Sequence, residues 1–173
     1  MAKPINKIEL TSFLGGLCLF LSAIEYLFPR PVPFMRLGLA NLPILFALKL
    51  LPFPYILLLV LLKITGQGLI SGTLASYVFL FSAAGSFTSA VVMFSVYKIP
   101  SKFISLIGVS ILGALSGNII QLVLSVKFIF GESAWVIAPL FLGIGTVSSL
   151  LIGLFAVKFI QRSKWISSLE GQL

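Results

Sequence analysis

The chain has 173 residues, 59% of them hydrophobic and 9% charged, with a formal net charge of +8 and a mean hydropathy of +1.17. A soluble domain carries about a quarter charged residues, so a bilayer rather than water is the expected solvent. One cysteine and no histidine exclude, within one chain, a disulfide, a cysteine-rich zinc site, a Cys-ligated iron–sulfur cluster and bis-histidine haem. No metal and no resident cofactor are therefore expected.

A helix needs about 20 apolar residues to cross a hydrocarbon core of ~30 Å. Runs at roughly 8–28, 35–52, 53–71, 73–97, 103–129 and 134–160 predict six transmembrane helices, which use up residues 1–173 as a single membrane domain. Lys3 and Lys7 precede the first run as they would in a signal peptide. The run is longer than a signal-peptide core, and no A-x-A-like cleavage site follows, so a retained helix is expected, with Glu25 near its far end. FPRPVP (28–33) breaks the chain next; its prolines fix φ and remove donors, which predicts a stiff outer loop able to act as a lid.

The second run, PFMRLGLANLPILFALKLLP, carries Arg36 and Asn41 at its head and Lys49 near its tail, and Leu51, Pro52 and Pro54 part it from the third. The third places Lys63, Gln67 and Ser71 at i, i+4 and i+8, on one helical face. The fourth bears a stripe of Ser82, Gly85, Ser86 and Ser89, and Pro100 and Ser101 mark the turn after it. The fifth carries Asn118 and Gln121, flanked by Ser110, Ala114, Gly117 and Ser125. Gly131, Glu132 and Ser133 precede the sixth, on which Gly145, Ser149 and Gly153 lie four apart. Small-residue stripes of this kind are read as tight packing within the bundle, with a partner helix as the alternative.

If the N-terminus is cytoplasmic, Lys3, Lys7, Lys49, Lys98, Lys102, Lys158, Arg162 and Lys164 fall inside, and Arg30, Arg36 and Lys127 outside. That asymmetry obeys the positive-inside rule and predicts a multi-pass protein of the cell membrane with both termini cytoplasmic. It also accounts for the basic charge without nucleic acid, the basic tail sitting near anionic lipid.

Charged groups at membrane depth cost about 2.5–3.5 kcal/mol on insertion scales, and they face a cavity or a partner. Lys63, about ten residues from either end of its run, cannot easily reach the interface. Arg30, Lys49 and Lys127, near helix ends, are read as snorkelling. Arg36, Asn41, Lys63, Gln67, Ser86, Asn118, Gln121 and Glu25 are the candidate ligand-binding residues. One glutamate does not balance the buried cations, which predicts a small anionic ligand; the structural alternative has Glu25 neutralising Arg36 or Lys63 while the amides bridge helices.

Taken together, PRPVPFMRLGLANLPILFALKLL, FLFSAAGSFTSAVVM and IGVSILGALSGNIIQL resemble the membrane family labelled heptaprenyl diphosphate synthase component I, also called Gx transporter, over residues 25 to 155. That family is similar to the S components of energy-coupling-factor (ECF) vitamin transporters. The resemblance implies a six-helix bundle with cytoplasmic termini and a ligand pocket near the outer face, walled by Arg36, Asn41, Asn118 and Gln121. The family usually has His where Gly117 stands and Arg where Lys63 stands, so a planar five-donor fork is replaced by a point charge. The AxxxA pattern by which many S components dock an energising module is missing from the first helix, which offers only Gly15, Gly16 and Ala23.

Prenyl elongation needs magnesium held on aspartate-rich motifs, because hard Mg²⁺ requires carboxylate oxygens. This chain has no aspartate, and its four acids are Glu9, Glu25, Glu132 and Glu170, so it is not expected to be an enzyme and no catalytic residue is assigned. The leading expectation is a substrate-binding component for uptake of a small anionic or vitamin-like molecule, with an ECF-type module or another membrane protein as possible partner. The alternative is a membrane accessory of quinone- or flavin-linked electron transfer, or of isoprenoid-quinone metabolism, that binds a head group without transporting it.

Overall fold

The computed structural model describes residues 6–27 and 37–170, and these form a bundle of helices. The first, α1 (Lys7–Tyr26), opens with a capping box: the Asn6 side chain accepts from the backbone, and Glu9 reaches back to the Asn6 amide. A 3-10 turn, Leu39–Asn41, leads into α2 (Leu42–Leu50), which has a proline in its first turn. Leu51 is extended, Pro52 caps α3 (Phe53–Ile70), and α4 (Tyr77–Tyr97) follows a short turn. Ser105 caps α5 (Leu106–Ser125), which runs on through a π-helical turn, Val126–Phe130, to Gly131 at φ 58°. A 3-10 segment, Gly131–Val136, precedes α6 (Ala138–Arg162), and α7 (Lys164–Glu170) ends the described chain.

Five helices are long and apolar enough to cross a membrane, α1, α3, α4, α5 with its extension, and α6, which marks a multi-pass membrane protein. The sequence predicts six; the second run is the exception. Its three 3-10 residues and nine α-helical residues rise only about 20 Å, short of a ~30 Å core. Two breakers set its length: Gly38, in the left-handed region at φ 83°, and Pro52. Residues Pro43 to Leu48 and Leu50 are all buried, so α2 is a greasy plug inside the ring of spans, apolar all round as a core helix should be. The head of the run, including Arg36, and the FPRPVP loop lie outside the described residues.

The small-residue stripes pack the bundle internally. A Cβ on Gly117 would lie 2.7 Å from the Gly85 carbonyl oxygen, and one on Gly85 would lie 2.9 Å from that of Gly117, so α4 and α5 touch backbone to backbone. A Cβ on Gly153 would lie 3.0 Å from the Ile107 Cα, and Ser110 Oγ donates to the Ser149 carbonyl at 2.9 Å, joining α5 to α6. The short α7 was not foreseen in the sequence. Its Ile166 and Leu169 enter the same core as Leu10 and Leu14, and Trp165 meets Phe13 at 5.4 Å between rings.

One end of the bundle is basic. Lys98 and Lys102 flank the α4–α5 turn, Lys158 and Arg162 close α6, Lys164 opens α7, and Lys49 sits in the last turn of α2. Towards the opposite end, α1, the turn at Gly38, α3, α4 and α5 enclose the polar side chains.

Candidate functional site

The local sequence explains how the polar groups meet. Lys63 and Gln67 stand one turn apart on α3, both buried, and Gly38 and Asn41 bring the start of α2 against them. The close approach at Gly85 and Gly117 lets Ser86 and Ser89 of α4 and Asn118 and Gln121 of α5 reach the same space. Gly145 of α6 leaves room behind it, since a Cβ there would sit 2.0 Å from Asn118 Nδ2.

Seven of the eight residues singled out in the sequence, Glu25, Asn41, Lys63, Gln67, Ser86, Asn118 and Gln121, therefore line one hollow of about 50 Å³. Arg36, the eighth, lies outside the described residues. Lys63, 4% exposed, donates through Nζ to Asn41 Oδ1 at 2.5 Å and to Ser86 Oγ at 3.4 Å. Glu25, 2% exposed, accepts from the Gly38 amide at 2.9 Å through Oε1, so its carboxylate also holds the turn that starts α2. Its second oxygen, Oε2, has no hydrogen-bond partner among the described residues, and neither do Gln67 Oε1 and Ser89 Oγ. Buried polar atoms left unpaired cost about 1–3 kcal/mol each, so three of them at one void mark a place where something polar belongs.

The hollow thus presents an ammonium group, amide donors and unpaired acceptors together. Its volume suits a few waters, each needing about 10–15 Å³, or a molecule of a few heavy atoms. Pockets for drug-sized ligands run to about 300–1,000 Å³, so a guest of vitamin size requires the helices to part.

The sequence reading misses Gly38, Gly85, Ser89, Ala114 and Gly117 as lining residues. Four of them stood in the stripes read as packing, and they do pack; the signal is that a packing stripe and a polar stripe share one helix face. Two polar residues turn elsewhere. Ser71 Oγ donates to the Gln67 carbonyl at 2.6 Å and pairs with the Thr73 hydroxyl, closing α3, while Ser110 is spent on Ser149.

A family model described as heptaprenyl diphosphate synthase component I matches residues 14–159, a stretch that contains every residue of the hollow. No curated protein and no solved structure matches the chain.

Proposed function

The chain belongs to the heptaprenyl diphosphate synthase component I family, and on that premise we propose that it is a substrate-binding membrane component, similar in role to an ECF S component, serving uptake of a small anionic molecule. The carrying observation is Lys63: a cation at 4% exposure in a membrane bundle, its amine turned onto Asn41 and Ser86 in a polar void. Such groups face a cavity or a pathway. In this reading the acidic group of the ligand sits by Lys63, and Asn118 and Gln121 donate to its polar edge. The unpaired oxygens of Glu25 and Gln67 narrow the guest further, because they ask for N–H or O–H donors on its other side. A compact acid bearing a hydroxyl or amino group meets all of these demands.

The family is described as a component, which accords with work beside other subunits. An energising module in the same membrane is one such partner. Catalysis of prenyl elongation is assigned elsewhere, since this chain has no aspartate. Of its glutamates, Glu9 is engaged in the α1 capping box and Glu25 in holding Gly38.

Native mass spectrometry of the protein in mild detergent, followed by denaturation and analysis of the released small molecules, tests this reading. One polar molecule per chain is expected from wild type and none from Lys63→Met. Wild type that stays empty, or a guest retained equally by both, would overturn it.

A further inference from the structure

A second cavity, of about 420 Å³, opens at the basic end between α2, the α4–α5 turn, α5 and α6. It shares no residue with the polar hollow. Lys49, Lys98 and Ser101 supply polar groups at its rim, and Leu45, Val109 and Ile160 supply apolar wall. Lys49 is the one exposed residue of α2, whose every other residue from Pro43 to Leu50 is buried. Lys98 holds its ammonium 4.5 Å over the Phe94 ring, which fixes it beside the opening.

The surroundings are those of a membrane–water boundary. Lys102, Lys158, Arg162 and Lys164 are all exposed at this end, together with the amphipathic rings of Phe103 and Trp165. Glu9, at the start of α1, is committed to its capping box. A bare inorganic anion would satisfy the lysines and leave the apolar wall unfilled. A hydrocarbon chain alone would fill the wall and leave two ammonium groups facing oil. An amphiphile with a phosphate head answers both demands, and its size falls in the usual range for a small-molecule site.

We infer that this cavity is a binding site for one anionic phospholipid, its phosphate between Lys49 and Lys98 and its glycerol and upper acyl carbons against Leu45, Val109 and Ile160. The site stands apart from the proposed uptake ligand: it lies at the other end of α2, so its failure leaves the reading of the hollow untouched.

The test is native mass spectrometry of the full chain with added phosphatidylglycerol or phosphatidylcholine, comparing wild type with Lys49→Gln/Lys98→Gln. A control, Lys158→Gln/Lys164→Gln, removes equal charge from the same end without touching the cavity. Wild type is expected to retain one phosphatidylglycerol in preference to phosphatidylcholine. Retention should fall about tenfold or more in the cavity variant and much less in the control, since each lysine near an anionic surface contributes about 1 kcal/mol. Equal losses in the two variants would show diffuse attraction and overturn the site, as would equal retention of the zwitterionic lipid. Displacement of the lipid by millimolar inorganic phosphate would overturn the lipid in favour of a free anion. If Lys49→Gln fails to fold, Lys98→Gln alone carries the comparison, because Lys98 is exposed.

Discussion

The two hollows of this bundle are opposites. The one at Lys63 is small, about 50 Å³, and its lining is dense with buried polar groups; the one at Lys49 is about 420 Å³, with two lysines over an apolar wall. In a membrane protein, volume and polarity answer different questions. A large greasy cavity costs little, because the alternative occupant is lipid. A small polar one leaves acceptors such as Glu25 Oε2 unpaired where no bulk water can reach them. The small hollow is accordingly the harder of the two to explain as packing, and the basic-end cavity is the one whose contents the bilayer supplies.

The comparison breaks most severely if the small hollow is not held by α4 and α5. Gly117→Val drives a Cβ to 2.7 Å from the Gly85 carbonyl oxygen, and two backbones have no side chain to swing away. The helices must separate, at a cost of about 3 kcal/mol or more. A drop of roughly 10 °C in the thermal unfolding midpoint in detergent is expected for a chain of this size, together with loss of the small ligand. A midpoint equal to wild type would show that α4 and α5 do not depend on this contact. The same contact gives a physical sense to Gly117 standing where the resembling family usually has His: an imidazole there would hold the two helices apart and open the hollow.

Lys63→Met comes next and separates function from stability. Methionine keeps the length of the side chain and removes the charge. The change relieves a burial cost of about 2.5–3.5 kcal/mol and leaves Asn41 Oδ1 without its donor, a loss of about 1–3 kcal/mol. The two nearly cancel, so the unfolding midpoint should hold or rise slightly while ligand retention falls at least about tenfold, the worth of one charge-assisted hydrogen bond. A falling midpoint with the ligand retained would make Lys63 a structural residue and leave the hollow without a role.

Glu25→Gln is a finer probe. The amide oxygen still accepts from Gly38, so the start of α2 stays in place, but the amide nitrogen presents a donor where Glu25 Oε2 was an unpaired acceptor. Weaker retention of a donor-bearing acid, by about tenfold, with an unchanged fold is expected. Retention of the same molecule at full strength would show that the ligand does not contact Glu25, and the guest would then be an acid without donors.

Much of this arrangement was legible in the sequence, and the reasons differ by element. The long spans were readable because apolar runs between Pro- and Gly-marked turns have few other outcomes. Lys63, Gln67, Asn118 and Gln121 were readable because helical spacing puts them on faces and burial demands a partner. The length of α2 was not readable from hydropathy, since a core helix and a span are equally greasy; only Gly38 and Pro52 set its ends, and glycine at φ 83° announces itself in coordinates rather than in composition. The amphipathic α7 was hidden by its seven-residue length and by a basic stretch that reads as a tail. The small size of the hollow was hidden too, because it follows from how closely two glycines let α4 and α5 approach.

The smallest expected effect supplies the baseline for the rest. Gly143 lies exposed on α6, and a Cβ there would meet nothing within 4 Å. Gly143→Ala removes backbone freedom from the unfolded chain without creating a contact, which stabilises a helix interior by about 0.5–1 kcal/mol. The unfolding midpoint should rise by about 1–3 °C, with retention of both the small ligand and phosphatidylglycerol unchanged, since Gly143 lines neither hollow. Set beside Gly117, this substitution isolates position from residue type: the same loss of a glycine is tolerated where α6 faces lipid and disruptive where two spans meet. Should Gly143→Ala also lower the midpoint, that face of α6 is covered by something other than lipid, and the small-residue stripes of this helix serve a partner as well as the bundle.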